Sequence, residues 1–280
     1  DRHLRSLARG LPTLEDWQTA VRRGNVRRYL DIRPLKLEMD VVNQCNLGCV
    51  MCHFSAEEYY RRKKHEISVE DFERIAEQIF PLCAQVSLSI GTEPLLHGRI
   101  GELAAIAGRY RIPWTYMHTN GLLLTERVIE QLIDARFNQL SISIDAATKE
   151  TYEKIRVGGQ FEKVIANIRA VRQARLRRSS ATPHVCFNVV LMRSNIAELP
   201  AIVQLAHDLG LSGVAAVHMM HFREAMVDPE RESLRHHKDL CNRMPGEAGA
   251  LAARLGIPAQ LPEPFATSGA ALGSGRTQSR

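Results

Sequence analysis

Cys45, Cys49 and Cys52 are the residues of this chain whose type and spacing could do chemistry. They form a C-x3-C-x2-C pattern within Cys45-Asn46-Leu47-Gly48-Cys49-Val50-Met51-Cys52-His53-Phe54. Three thiolates on one short loop can hold three irons of a [4Fe–4S] cube and leave the fourth iron without a protein ligand. An open metal position is where a small molecule binds and reacts, as in catalytic rather than closed zinc sites. The loop also admits a second chemistry, because the cysteines with His53 make a Cys3His set suited to zinc. A disulfide framework fits poorly, since such frameworks stabilise small secreted domains and this chain has 280 residues.

The elements that position these cysteines follow from hydrophobic periodicity. Leu35, Leu37, Met39 and Val41 alternate with Lys36, Glu38 and Asp40, which predicts a strand with the cysteines in the loop leaving its C-terminal end. Ser68 reads as an N-cap with Asp71 in a capping-box-like position, opening a helix that carries Phe72, Ile75, Ile79 and Phe80. Val86, Leu88 and Ile90 make a strand that runs into Gly91-Thr92-Glu93-Pro94. The alternation then repeats: helix 99–110, strand 112–118 into Thr119-Asn120-Gly121, helix 125–136, and strand 139–144 ending at Asp145. Helix 161–178, strand 184–192, helix 197–209 and strand 214–220 complete six strand-then-helix units. Their apolar runs predict a parallel sheet buried on both faces. Each unusual motif falls at a strand's C-terminal end, where α/β folds place their sites. Spacing alone leaves a barrel and an open doubly wound sheet as alternatives.

The C-x3-C-x2-C loop after a first strand resembles the signature of the radical S-adenosylmethionine (SAM) superfamily. Gly91-Thr92-Glu93-Pro94 resembles its "GGEP" loop with Thr92 in place of the second glycine. Thr119-Asn120-Gly121 resembles its "TNG", and Ser143-Ile144-Asp145 followed by Arg156 its "S-x-D" with a later arginine. The resemblance covers roughly residues 35–220 and implies an α/β fold, a partial (β/α)6 TIM-like barrel open on one side. It implies two cofactors, a [4Fe–4S] cluster on Cys45, Cys49 and Cys52, and SAM chelated to the open iron. Reductive cleavage of SAM would then yield a 5′-deoxyadenosyl radical that abstracts hydrogen from substrate. It also implies SAM contacts. The loop Gly91, Thr92, Glu93 and Pro94 would meet the amino group, with Thr119 and Asn120 beside it. Ser143 would meet the carboxylate or ribose with Asp145 near it, and Arg156, whose rigid fork suits carboxylates, would pair with the carboxylate. Met51, where the pattern usually has an aromatic residue, and Met220 would touch the adenine. Read from its own position, Asn188 is a polar residue within an apolar strand that needs a partner if it points inward, either a cofactor hydroxyl or polar substrate group, or a bond within the core. The partners implied are a reductant protein such as flavodoxin or ferredoxin and an unidentified peptide or small-molecule substrate.

The flanks add less. Leu14, Trp17 and Val21 among arginines predict a basic helical extension over 1–34, ahead of a core at 35–222. A helical C-terminal extension is expected at 223–265, as helices over 229–244 and 247–255, and a flexible tail at 266–280. The layout resembles the SPASM/Twitch branch, whose extensions bind further clusters; Cys241 is the one cysteine in that region, and Asp1 replaces an initial Met, so a fragment is expected. His218 and His221 at the end of the sixth strand could meet substrate, while Cys83, Cys186 and Cys241 read as buried small hydrophobes. A hydrophobic content of 45% and charged content of 24% are ordinary for a globular protein, and no run is long enough to span a membrane. The net charge of +6 comes from arginine runs without interleaved aromatics, so no nucleic-acid partner is expected. Six cysteines, three of them clustered as ligands, fit a reducing cytoplasm. The alternative function, a zinc-stabilised α/β binding protein without redox chemistry, would have no use for the motifs at Gly91–Pro94, Ser143, Asp145 and Arg156.

Overall fold

The computed structural model describes residues 33–265. The predicted N-terminal helix and the tail lie outside the described residues, apart from Arg33 and Pro34. Seven parallel strands form one sheet in sequence order: β1 (Leu35–Glu38), β2 (Cys83–Ser87), β3 (Trp114–Thr119), β4 (Gln139–Ser143), β5 (His184–Leu191), β6 (Gly213–His218) and β7 (Ala259–Gln260). Helices α1 (Val69–Ile79), α2 (Ile100–Arg109), α3 (Glu126–Asp134), α4 (Phe161–Arg177) and α5 (Leu199–Asp208) make the successive crossovers, and α6 (Lys238–Leu255) leads into β7. β1 and β7 are the two edges, so the sheet is an unclosed, partial TIM-like barrel.

Local sequence explains the element boundaries. Ser68 Oγ accepts from Asp71 N at 3.0 Å and caps α1, and Thr125 Oγ1 accepts from Val128 N at the start of α3. β2 stops at Ser87, short of the predicted Ile90, because Ser87 Oγ donates to Ser89 O and turns the chain locally. The helix Lys149–Ile155 occupies what the sequence offered only as a long connection.

Two expectations are corrected. The sheet is not apolar on both faces. Val86, Met117, Leu140, Ile142, Phe187 and Val189 are fully buried under the helices. The opposite face carries a polar row, with Ser87 beside Tyr116, Tyr116 beside Gln139, His118 beside Ser141, Ser141 beside Cys186, and Ser143 beside Asn188. A strand in a barrel that receives ligand buries one face against helices and keeps the other for the cavity, so β5 alternates buried and half-buried along its length. The C-terminal region is also not two helices broken near Glu247. α6 runs straight through Pro245, because Cys241, Met244, Pro245, Ala248 and Ala252 form one buried stripe that packs on α5. Burial of that stripe outweighs the roughly 3 kcal/mol that an interior proline costs. α6 ends on Gly256 at φ +67, and the two-residue β7 after it is too short for periodicity to reveal.

Candidate active site

The loop after β1 is stitched to its surroundings by its own backbone. Gly48 N donates to Val157 O, Val50 N to Ile155 O, and Glu93 N to Gln44 O, each within 3.0 Å. Asn120 Nδ2 donates to Asn46 Oδ1 at 2.8 Å, and Val227 N to Val50 O at 3.1 Å. The cysteine loop is thus held by the loops leaving β2 and β3, by the end of the Lys149–Ile155 helix, and by the segment that precedes α6.

These loops enclose a cavity of about 350 Å3 at the C-terminal end of the sheet. Cys45, Cys49 and Cys52 line it, together with Met51, Gly91, Thr92 and Glu93. Thr119, Asn120, Ser143, Arg156, Asn188 and Met220 line it as well. Two of the predicted site residues do not. Pro94 starts the buried turn Pro94–Leu96, and Asp145 lies beyond the end of β4. Asp145 is fully buried; its Oδ1 accepts from Val190 N at 2.8 Å and its Oδ2 lies 2.7 Å from Arg156 Nη2. The predicted pairing of Arg156 with a ligand carboxylate therefore meets an arginine already partnered within the chain, by Asp145 and by Cys49 Sγ at 3.6 Å.

Glu93 is likewise engaged by the protein. Its carboxylate accepts from Leu95 N, from Thr119 Oγ1 at 2.6 Å and from Asn120 N at 2.7 Å. Burial pushes its pKa up to about 7 against the pull of those three donors. His221 does not line the cavity, whereas His218 does, with a buried Nδ1 that has no hydrogen-bond partner.

The sequence pattern places Asp40 only on the polar side of β1, yet it organises the next loop. Its Oδ1 accepts from Ile90 N, Gly91 N and Thr92 N and from Thr92 Oγ1 at 2.7 Å. This accounts for Thr92 where a glycine was expected: its hydroxyl adds a fourth donor to Asp40. Peptide planarity then sends the carbonyls of Ile90 and Gly91 away from Asp40, as a cationic amino group would need. A Cβ built on Gly91 would meet only His53 Cε1, at 3.8 Å, so the backbone there is bare toward a ligand. The signal for Asp40 was an acidic residue at a strand's C-terminal end. His118, Ile90, Val217 and Phe222 also line the cavity; His118 shares the face of Tyr116, and that parity was available from the sequence.

The donor set suits an iron–sulfur cube better than a single ion. The three thiols face one cavity, and no fourth cysteine lines it. Among the described residues no three His, Cys, Asp or Glu side chains converge on a point that one metal ion could occupy. A cluster asks for one thiolate per iron, so three thiols on one cavity can hold three irons of a cube and leave the fourth open. Burial pushes the Cys45 thiol up to about 12 and the Cys49 thiol to about 11, with Arg156 pulling the latter down, so each needs a cation to ionise at neutral pH.

Comparison with known proteins agrees with this geometry. Residues 39–206 match the family described as the Radical SAM superfamily. The PqqA peptide cyclase of Gluconobacter oxydans is 31% identical over 208 residues, covering 72% of this chain and 55% of that protein. A probable GTP 3′,8-cyclase of Methanocaldococcus jannaschii is 31% identical over 180 residues, covering 64% of this chain and 57% of that protein. The chain thus spans a little over half the length of these relatives. Among solved structures, SuiB of Streptococcus suis bound to S-adenosylmethionine superposes with a TM-score of 0.69 at 15% identity, over 93% of this chain and 59% of that one. Native anSMEcpe with bound AdoMet superposes at 0.62, also at 15% identity, over 81% and 64%. At that identity the superpositions speak to the fold.

Proposed function

The chain belongs to the radical SAM superfamily, and on that premise we propose that Cys45, Cys49 and Cys52 hold a [4Fe–4S] cluster whose open iron takes SAM. The observation that carries the proposal is the set of three thiols, Cys49 buried and Cys45 and Cys52 partly buried, that face one cavity beside four motif loops, with no fourth cysteine among its lining residues. When bound, the cluster and SAM supply reductive cleavage of the sulfonium bond and a 5′-deoxyadenosyl radical for hydrogen abstraction. The residues around them do the positioning. Asp40 fixes the loop carrying Gly91 so that its carbonyls are free for the SAM amino group. Glu93 ties the β3 loop to the β2 loop through Thr119 and Asn120. Ser143 and Asn188, side by side across β4 and β5, offer hydroxyl and amide groups to the ribose or carboxylate. Met220, 71% exposed at the mouth, offers an apolar cover for the adenine.

The substrate that fits this mouth is a polypeptide. Ile90 (63% exposed) and Val217 (50%) make, with Met220, an apolar rim at the mouth of a cavity whose lining is itself largely apolar. The one guanidinium or ammonium group among the lining residues, Arg156, is spent on Asp145 and Cys49, so the cavity offers a triphosphate no free cation of that kind. The electron would come from a protein of the flavodoxin or ferredoxin class. No helix among the described residues is long and apolar enough to cross a membrane.

The test is anaerobic reconstitution with iron and sulfide, then reduction in the presence of SAM with an assay for 5′-deoxyadenosine. A brown protein releasing 5′-deoxyadenosine, and loss of both properties in Cys49→Ala, is the expected result. A colourless protein containing zinc overturns the cluster, and stimulation of 5′-deoxyadenosine release by GTP overturns the polypeptide substrate.

A further inference from the structure

Arg156 occupies an unusual place for a cavity-lining arginine. The helix Lys149–Ile155 ends one residue before it, and the backbone on either side, at Ile155 and Val157, receives the N–H groups of Val50 and Gly48 from the cysteine loop. The backbone that carries Arg156 is therefore tied to that loop by main-chain hydrogen bonds. Its Nη1 is 3.6 Å from Cys49 Sγ, its Nη2 is 2.7 Å from Asp145 Oδ2, and the side chain is only 8% exposed. Charges act strongly at such a range when water is excluded. Cations and N–H donors set against cluster sulfurs are among the protein's levers on cluster potential.

We propose that Arg156, anchored by Asp145, sets the reduction potential of the cluster by holding a buried positive charge against the Cys49 sulfur. The inference rests on the cluster assignment made above. Reduction moves one electron from an external donor into the cluster; no bond forms or breaks, and the cluster's negative charge rises by one. The Arg156 cation stabilises that added charge and raises the midpoint potential. Asp145 fixes the guanidinium and offsets part of its field, so the two residues push the potential in opposite directions. A purely structural role for the pair would not produce opposite signs.

The experiment uses the full chain and its Arg156→Gln, Arg156→Lys and Asp145→Asn variants, loaded anaerobically with iron and sulfide and without SAM. Each is titrated with a reductant while the electron paramagnetic resonance signal of the reduced cluster is followed. In Arg156→Gln the reduced-to-oxidised ratio at a fixed potential should fall about tenfold or more, which is about 59 mV for a one-electron couple. Arg156→Lys should stay near the parent, and Asp145→Asn should shift upward. Equal midpoints in loaded Arg156→Gln and parent overturn the proposal, as do shifts of the same sign in Arg156→Gln and Asp145→Asn. If Arg156→Gln holds no cluster, an unshifted Asp145→Asn overturns it alone. An effect of Arg156→Gln confined to SAM affinity, measured separately, returns Arg156 to carboxylate binding. A parent chain that takes up no cluster refutes the underlying assignment instead, and the two failures are told apart by iron content.

Discussion

Glu93 gives the sharpest test of the site's electrostatics. Its carboxyl is 2% exposed and its pKa stands at about 7 against an ordinary 4.5, with burial the largest cause. Between those two values the folded chain keeps a proton that the unfolded chain has lost, so stability falls as pH rises across that window. At 1.36 kcal/mol per unit the full loss is roughly 3 kcal/mol, complete once the pH exceeds about 7. Glu93→Gln removes the titration and keeps the shape. The Gln oxygen can still accept from Leu95 N and Thr119, but its amide nitrogen then faces the Asn120 N–H, an uncompensated donor pair costing roughly 1–3 kcal/mol. The variant should thus be less stable than the parent at about pH 4, and the difference should move in its favour by roughly 3 kcal/mol by about pH 8. Urea denaturation of the metal-free, thiol-reduced chain at a series of pH values measures this. A difference that stays constant across the range would refute the raised pKa and the account of the buried carboxylate.

Three further outcomes follow from the same structure. Asp40→Ala removes the acceptor that gathers three backbone N–H groups and the Thr92 hydroxyl, so SAM affinity should fall about tenfold, or 1.4 kcal/mol, with iron content unchanged; equal affinity by equilibrium binding counts against it. With the Cys45 and Cys49 thiols at about 12 and about 11 before metal binds, loading must expel protons, so iron and sulfide uptake should rise with pH above neutrality, and a flat loading profile speaks against this. Ser68→Ala should cost about 1 kcal/mol in chemical denaturation through loss of the α1 cap and leave cluster loading untouched; a change in loading would mean that α1 is coupled to the site.

The alternation of strands and helices was legible because β-branched runs and Ser68- or Thr125-type caps are local signals. The cysteines, the loops at Gly91 and Thr119, and Ser143 were legible because each breaks the local pattern at a strand's end, and Asn188 because it is a polar residue inside an apolar strand. What escaped was long-range. Asp40 and Ile90 are fifty residues apart, and nothing near either predicts that one carboxylate oxygen will gather a whole loop. Asp145 and Ser143 look equivalent in a two-residue alternation, but only the first meets a buried guanidinium. The polar inner row escaped because single serines and histidines in strands are unremarkable until the register sets them side by side. Pro245 misled for the opposite reason, since a strong local signal lost to an apolar stripe against α5.

The charge arrangement has its own logic. Arg156 cannot shed its proton, so a buried guanidinium needs a buried anion in every state of the protein. Before metal binds, the thiols near it are protonated and neutral, and Asp145 is the one formal charge in contact with it. Once the thiols ionise on iron, Cys49 becomes a second anionic neighbour of the same guanidinium. Asp145 thus keeps the cation in place while the site is empty of charge, and the cation then favours the ionised thiolate. A buried ion pair is weak evidence for stability in its own right. Here the pair makes sense as preorganisation, holding a positive charge where negative charge will accumulate, and the opposite shifts expected of Arg156→Gln and Asp145→Asn are what that reading requires.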